Sequence, residues 1–203
     1  MKSDFDLEFQ NKNIESKIIA ALERVSQAFR VLLWQESKDF SLSPIQVQVL
    51  IFLLHHSAEK RTVSYLASEF NMTKATISDT IKSLEQKQLI KKLQQKHDTR
   101  SYTMQLTTKG KNIALKTSLF SKEIKTPIDR LNNDDKENLL LSLMNIIRHL
   151  NQSEVITIQR MCLTCAHYES EASGQKHFCK LLNQKLLDAD LRIDCPEHVL
   201  LAN

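Results

Sequence analysis

The chain has 203 residues, 41% of them hydrophobic and 26% charged, which bounds it to one globular domain, or one domain plus a small appendage. Only two glycines (Gly110, Gly174) and three prolines (Pro44, Pro127, Pro196) occur, too few for the turns of a β-sandwich or barrel or for a Gly-rich phosphate loop, so a mostly helical protein remains. The net charge of +4 is uneven: residues 74–111 hold nine Lys or Arg against Asp79, Glu85 and Asp98, while residues 161–203 hold four basic against six acidic residues. A polyanion is the natural partner of the basic stretch.

Taken in chain order, Ile14, Ile18, Leu22, Val25, Phe29 and Leu32 recur at helical spacing and predict a long amphipathic helix over 13–36. Ser43 followed by Pro44 marks the start of a short buried helix over 45–54. Thr62 and Val63 suit a brief strand, after which Ser64 caps a short helix ending at Phe70, with Asn71 as its left-handed cap. Thr73 caps the next helix, to about Lys87, with Ile77, Ile81 and Leu84 inward. Between Leu89 and Thr107 the period changes: Tyr102, Met104 and Leu106 alternate with polar residues, predicting a hairpin with a basic tip over 94–100. Thr108 opens another long helix that Pro127 breaks near Thr126. Asn133 caps the last long helix, which runs to about Ser153.

Two short helices joined by a tight turn and followed by a basic hairpin form the plan of a winged helix-turn-helix. The second helix fits the major groove of double-stranded DNA, its exposed polar positions facing the duplex. Thr73, Lys74, Ala75, Thr76, Ser78 and Lys82 are its outward candidates: hydroxyls for phosphates or base edges, the Thr76 methyl for a thymine, the lysines for phosphates. Lys96, His97 and Arg100 at the hairpin tip reach a phosphate or an adjacent minor groove.

Several runs of this sequence resemble the MarR family of bacterial transcriptional regulators. They are Val63-Ser64-Tyr65-Leu66-Ala67, Met72-Thr73-Lys74-Ala75-Thr76-Ile77-Ser78, Leu84-Glu85-Gln86-Lys87-Gln88-Leu89-Ile90, Asp98-Thr99-Arg100 and Leu106-Thr107-Thr108-Lys109-Gly110. The resemblance covers 14–150. It implies a homodimer built on the first and last long helices, acting as a repressor on a pseudo-palindrome with half-sites ~10 bp apart. It also implies a small-molecule effector, and a wing in which Asp98 orients Arg100 into the minor groove. Two positions depart from the family pattern: Asp79 stands where many members are basic, and Gln88 replaces a usual glycine.

All four cysteines lie in the tail, as Cys162, Cys165, Cys179 and Cys195. Two intervening residues let Cys162 and Cys165 face one ion from a knuckle. Four thiolates suit tetrahedral zinc or, alternatively, an iron–sulfur cluster, with reduced or disulfide-forming thiols as the third reading. His167, His177 and His198 are near enough in sequence to substitute. Tyr168, Phe178, Leu181, Leu182, Leu186, Leu187, Leu191 and Ile193 offer a mini-core too small to be stable alone, which a metal would staple.

The predicted organisation is an N-terminal dimerisation helix (1–42), a winged helix-turn-helix (43–108), C-terminal dimerisation helices (109–153) and a cysteine-rich metal-binding extension (154–203). No catalytic constellation stands out, and a complete four-cysteine shell leaves no open position for a substrate, so an enzyme is not expected. The longest apolar run, 49–54, is far short of a membrane span, and the first ten residues lack the apolar stretch of a leader, so a cytoplasmic location is expected. The rival reading is a zinc or iron–sulfur sensor or adaptor that keeps the winged fold but works through protein interaction.

Overall fold

The computed structural model describes residues 2–95, 98–170 and 176–201; for 95 and 98–101 the description is of backbone alone. A short helix α1 (Leu7–Lys12) precedes the long helix α2 (Ile14–Asp39). Asn13 separates them in an extended conformation while its side chain caps α2 by accepting from Ser16 N–H. Apolar periodicity does not reveal the first helix, because it carries no apolar stripe and buries nothing.

Helix α3 (Pro44–His55) begins in a full capping box: Ser43 accepts from the Gln46 backbone, and the Gln46 side chain accepts from Ser43 N–H. It is the central helix, with Val47, Val49, Leu50 and Leu53 at most 1% exposed. Around them pack Leu66 of α4 (Val63–Glu69), Ile77, Ile81 and Leu84 of α5 (Lys74–Gln86), Met104 of the wing and Ala114 of α6 (Thr108–Thr117). Removing such side chains from water contributes ~1.5–3 kcal/mol each, enough to make this cluster the main source of stability.

The segment before α4 is not a strand. Thr62, not Ser64, is the N-cap, accepting from Tyr65 N–H, and a single 3-10 turn (Ala58–Lys60) precedes it. The segment touches the wing through a hydrogen bond from Met104 N–H to the Arg61 carbonyl. The wing is an antiparallel hairpin of β1 (Ile90–Gln95) and β2 (Asp98–Leu106), with Ile90 opposite Leu106 and Gln94 opposite Tyr102. Gln88 enters it with φ 59, holding the left-handed turn that a glycine would hold without strain. Gly110, in the first turn of α6, is required for another reason: a Cβ there would lie 1.9 Å from the Leu89 carbonyl oxygen.

The break in the next helical stretch falls between Thr117 and Lys122, not near Thr126. Helix α6 ends at Thr117, and α7 (Lys122–Asp129) contains Pro127 in its interior. Thr117 and Ser118 donate their hydroxyls back to the carbonyls of Ile113 and Leu115, competing with the helical ladder where it stops. Helix α8 (Asn133–Gln152) is capped by Asn132, one residue earlier than expected. Glu154, at φ 58, turns the chain out of it.

The tail folds onto α8 and α4. Its three-stranded sheet runs β3 (Tyr168–Ser170), β4 (His177–Cys179), β5 (Gln184–Lys185), all antiparallel. Its core is Met161, Cys162 and Leu191 against Met144 of α8, with Tyr168 and Leu186 at the edge. The expected self-contained mini-core does not form: Leu181, Leu182, Leu187 and Ile193 are exposed, and Leu140, Leu141, Met144 and Ile147 of α8 complete the tail's core. Among the described residues no helix is long and apolar enough to cross a membrane.

Candidate nucleic-acid interface and cysteine pocket

Helix α5 separates two faces cleanly. Ile77, Thr80, Ile81 and Leu84 are buried, whereas Thr73, Lys74, Ala75, Thr76, Ser78, Asp79 and Lys82 are all exposed. Thr73 accepts from Thr76 N–H as N-cap, and its hydroxyl lies 2.9 Å from that of Thr76. The helix therefore presents its N-terminal turn, with hydroxyls, unsatisfied N–H groups and Lys74, to whatever lies in front of it. Such a surface suits phosphate oxygens and base edges.

Of the wing residues expected to join it, Lys96 and His97 lie outside the described residues. The backbones of Asp98 and Arg100 belong to β2; their side chains are likewise outside the description. Not every basic residue of the stretch is available to a partner. Lys92 Nζ pairs with Glu85 at 2.6 Å and sits over the Tyr102 ring, and the Glu85 hydrogen bond pushes its ammonium pKa up. Lys92 thus ties the root of the wing to α5.

Residues 40–101 match the MarR family. The winged helix of this chain is thus similar to that of the MarR family. The transcriptional regulator SarZ of Staphylococcus haemolyticus is 26% identical over 98 residues, which is 48% of this chain and 66% of that protein, just under two thirds of its length. Among solved structures, MepR of S. aureus in complex with DNA superposes with a TM-score of 0.57 at 24% identity, covering 64% of this chain and 96% of MepR. MepR in a DNA-binding conformation gives 0.58 at 24%, covering 66% and 98%. At that identity the likeness is one of fold. It leaves about a third of this chain without a counterpart in an almost fully matched MepR structure.

The four cysteines come from three segments. Cys162 opens a 3-10 turn (Cys162–Thr164), and Cys165 N–H donates back to the Cys162 carbonyl at 3.0 Å. Cys179 ends β4, and Cys195 follows Asp194, whose backbone bridges Arg160. All four are free and line one small pocket with His167, Tyr168, Leu181, Leu186 and Glu197. Arg192 N–H donates to Cys162 Sγ at 3.3 Å, and the Arg192 guanidinium lies 3.7 Å from Cys195 Sγ. Burial pushes the Cys162 thiol pKa up, the nearby sulfurs reinforcing it. Among the described residues no three His, Cys, Asp or Glu side chains stand close enough to hold an ion together. The donor set fits a thiophilic metal by its chemistry and by the shared pocket.

The histidines divide. His167 faces the pocket. His177 is committed elsewhere, 2.6 Å from the Tyr168 hydroxyl and 2.9 Å from Asp188, and His198 lies 3.1 Å from the Thr164 hydroxyl.

Sequence reasoning missed Arg160. It is 7% exposed and makes a two-pronged ion pair with Glu69 of α4 (2.7 and 2.9 Å), reaches the Tyr65 hydroxyl at 2.9 Å, and donates through Nε to Asp194 at 2.8 Å. The Glu69 hydrogen bonds push its guanidinium pKa upward against the opposing effect of burial. Beside it, Thr157 donates to the Ser68 carbonyl at 2.6 Å, and Asn71, in the turn between α4 and α5, donates to the Val155 carbonyl at 2.9 Å. The tail is thereby fastened to the back of the helix-turn-helix.

Proposed function

We propose that the protein is a homodimeric transcriptional regulator, a repressor by its family, that binds a pseudo-palindromic operator in double-stranded DNA. The observation that carries this reading is the division of α5: every hydroxyl and lysine named for DNA contact is exposed, while every apolar residue of the helix is buried except Ala75, itself a contact candidate. Thr73, Lys74, Ala75, Thr76 and Ser78 meet the major groove, Lys82 a phosphate, and Lys96, Asp98 and Arg100 of the wing the adjacent backbone and minor groove. The names of the MepR structures, one in complex with DNA and one in a DNA-binding conformation, support it.

Dimerisation rests on unpartnered apolar surface. Ile14, Ile18, Leu22, Val25 and Phe29 of α2 are 37–64% exposed in the single chain, and Leu139 and Ile146 of α8 are exposed as well. A stripe of that length is paired in a stable protein. A small apolar effector has a cleft of suitable chemistry between Phe52, Phe70 and Phe120, edged by Gln48 and His55.

The test is binding to a duplex selected from a random pool. Affinity is expected to fall steeply with salt, with a log–log slope of about −0.9 per phosphate contact. Thr76→Ala is expected to change the preferred sequence by about 1 kcal/mol at one base pair. Arg100→Ala is expected to weaken all sites, most at A·T-rich flanks. A salt-independent affinity that no duplex improves would favour the adaptor reading.

A further inference from the structure

We propose that the four cysteines bind one zinc ion as a tetrathiolate shell, and that the Asp194–Arg160–Glu69 bridge carries the occupancy of that shell to helices α4 and α5. The four cysteines of the chain, drawn from three segments, all line the same small pocket. Four thiolates from three segments are the ligand set of a closed tetrahedral zinc shell. The donors of Arg192, one from backbone to Cys162 and one from the guanidinium to Cys195, are aimed at two of the sulfurs and offset the charge a four-thiolate shell accumulates.

Binding is the replacement of four S–H protons: four thiols and Zn²⁺ give a dianionic zinc tetrathiolate and four protons, with no change of oxidation state. One ion bonded to all four sulfurs fixes the spacing of the segments that carry them. Those segments are the ones that grip α4. Arg160 lies two residues before Cys162, and Asp194 immediately precedes Cys195. Cys195 N–H donates to the Arg160 carbonyl at 2.9 Å, so moving one sulfur moves the guanidinium that holds Glu69. The second half rests on the regulator reading only in that α4 and α5 are the helices meant to read DNA.

Full-length protein purified under reducing conditions without chelator is tested by elemental analysis and, after metal removal, by titration with cobalt. One zinc per chain and the absorption of tetrahedral cobalt thiolate are expected, both lost in the Cys165→Ser/Cys179→Ser double variant; the wild-type measurements decide the matter even if that variant does not fold. Amide hydrogen exchange reads the coupling. Stripping zinc is expected to speed exchange over residues 63–86 by about tenfold or more. Glu69→Gln is expected to retain zinc yet exchange fast with or without it. No bound metal and no cobalt absorption overturns the site, as does recovery of the thiols as disulfides, and iron with acid-labile sulfide overturns the assignment to zinc. Exchange that ignores zinc overturns the coupling. No DNA enters these measurements, so failure to bind DNA would sink the regulator reading and leave them standing.

Discussion

Arg160 shows how much one side chain can connect. Its guanidinium is buried, with Glu69 held in two-pronged fashion, Tyr65 on one side and the more exposed Asp194 on the other. Replacing it by Met keeps the volume but strands the Glu69 carboxylate at 17% exposure. A loss of ~3 kcal/mol in urea unfolding is expected, the range for removing one partner of a buried pair. Glu69→Met on the same background is expected to restore part of it, because the stranded charge is gone; strict additivity would mean the pair is not coupled. His56 offers a pH counterpart. It is stacked on Phe52 with ring centroids 3.7 Å apart, and burial lowers its pKa below 6.5, opposed by the Phe52 carbonyl, with Arg160 lowering and Asp194 and Glu69 raising it. A folded-state pKa below the unfolded value means the unfolded chain takes up the proton first, so stability falls as pH drops below about 6.5. Thermal melts between about pH 7 and pH 5 should show a smaller drop for His56→Gln than for wild type.

Gln88 decides the turn from α5 into the wing. At φ 59 it bears the steric strain of the left-handed region, and its neighbour Leu89 is locked both by its N–H bond to Leu84 and by the Gly110 contact. Gln88→Gly is expected to stabilise the fold by about 1 kcal/mol, read as a rise in urea midpoint with unchanged slope. That this position holds a turn was legible from the end of the apolar period at Leu84 and its resumption at Leu89. Where a local signal was decisive the expectation held: Ser43-Pro44 started α3, Thr73 started α5, and Tyr102, Met104 and Leu106 alternated along β2. Where two hydroxyls competed, Thr62 beat Ser64 because only it leaves Val63 to continue the helical face. Pro127 misled because the helix had already ended at Thr117, ten residues earlier, and Pro127 is accommodated inside the next one. Arg160 could not be found from sequence, since its partner Glu69 lies 91 positions away and neither residue belongs to a local pattern.

At the scale of the molecule, α8 works on two sides. Met144 is fully buried, with Leu140, Leu141 and Ile147 beside it, under the tail, while Leu139 and Ile146 remain open. Helix α2 is open along most of its apolar stripe. A dimer joined through α2 and the open side of α8 covers both, and leaves the tail on the remaining side of α8, touching α4. In the proposed dimer two couplings are separate: the contact between copies would set the distance between the two α5 helices, and the tail would act on α4 and the turn into α5 within each subunit. Leu22→Glu, in the middle of the stripe, puts a charge into the first contact and does not touch the second. Light scattering is expected to give a monomer for this variant against a dimer for wild type. Its helical circular dichroism and metal content should be unchanged. Affinity for a full pseudo-palindrome is expected to fall by a hundredfold or more while affinity for an isolated half-site is kept, since only the tethering of two reading helices is lost. A wild type that is monomeric at the same concentration would exclude the dimer, and with it any role for α2 in setting half-site spacing.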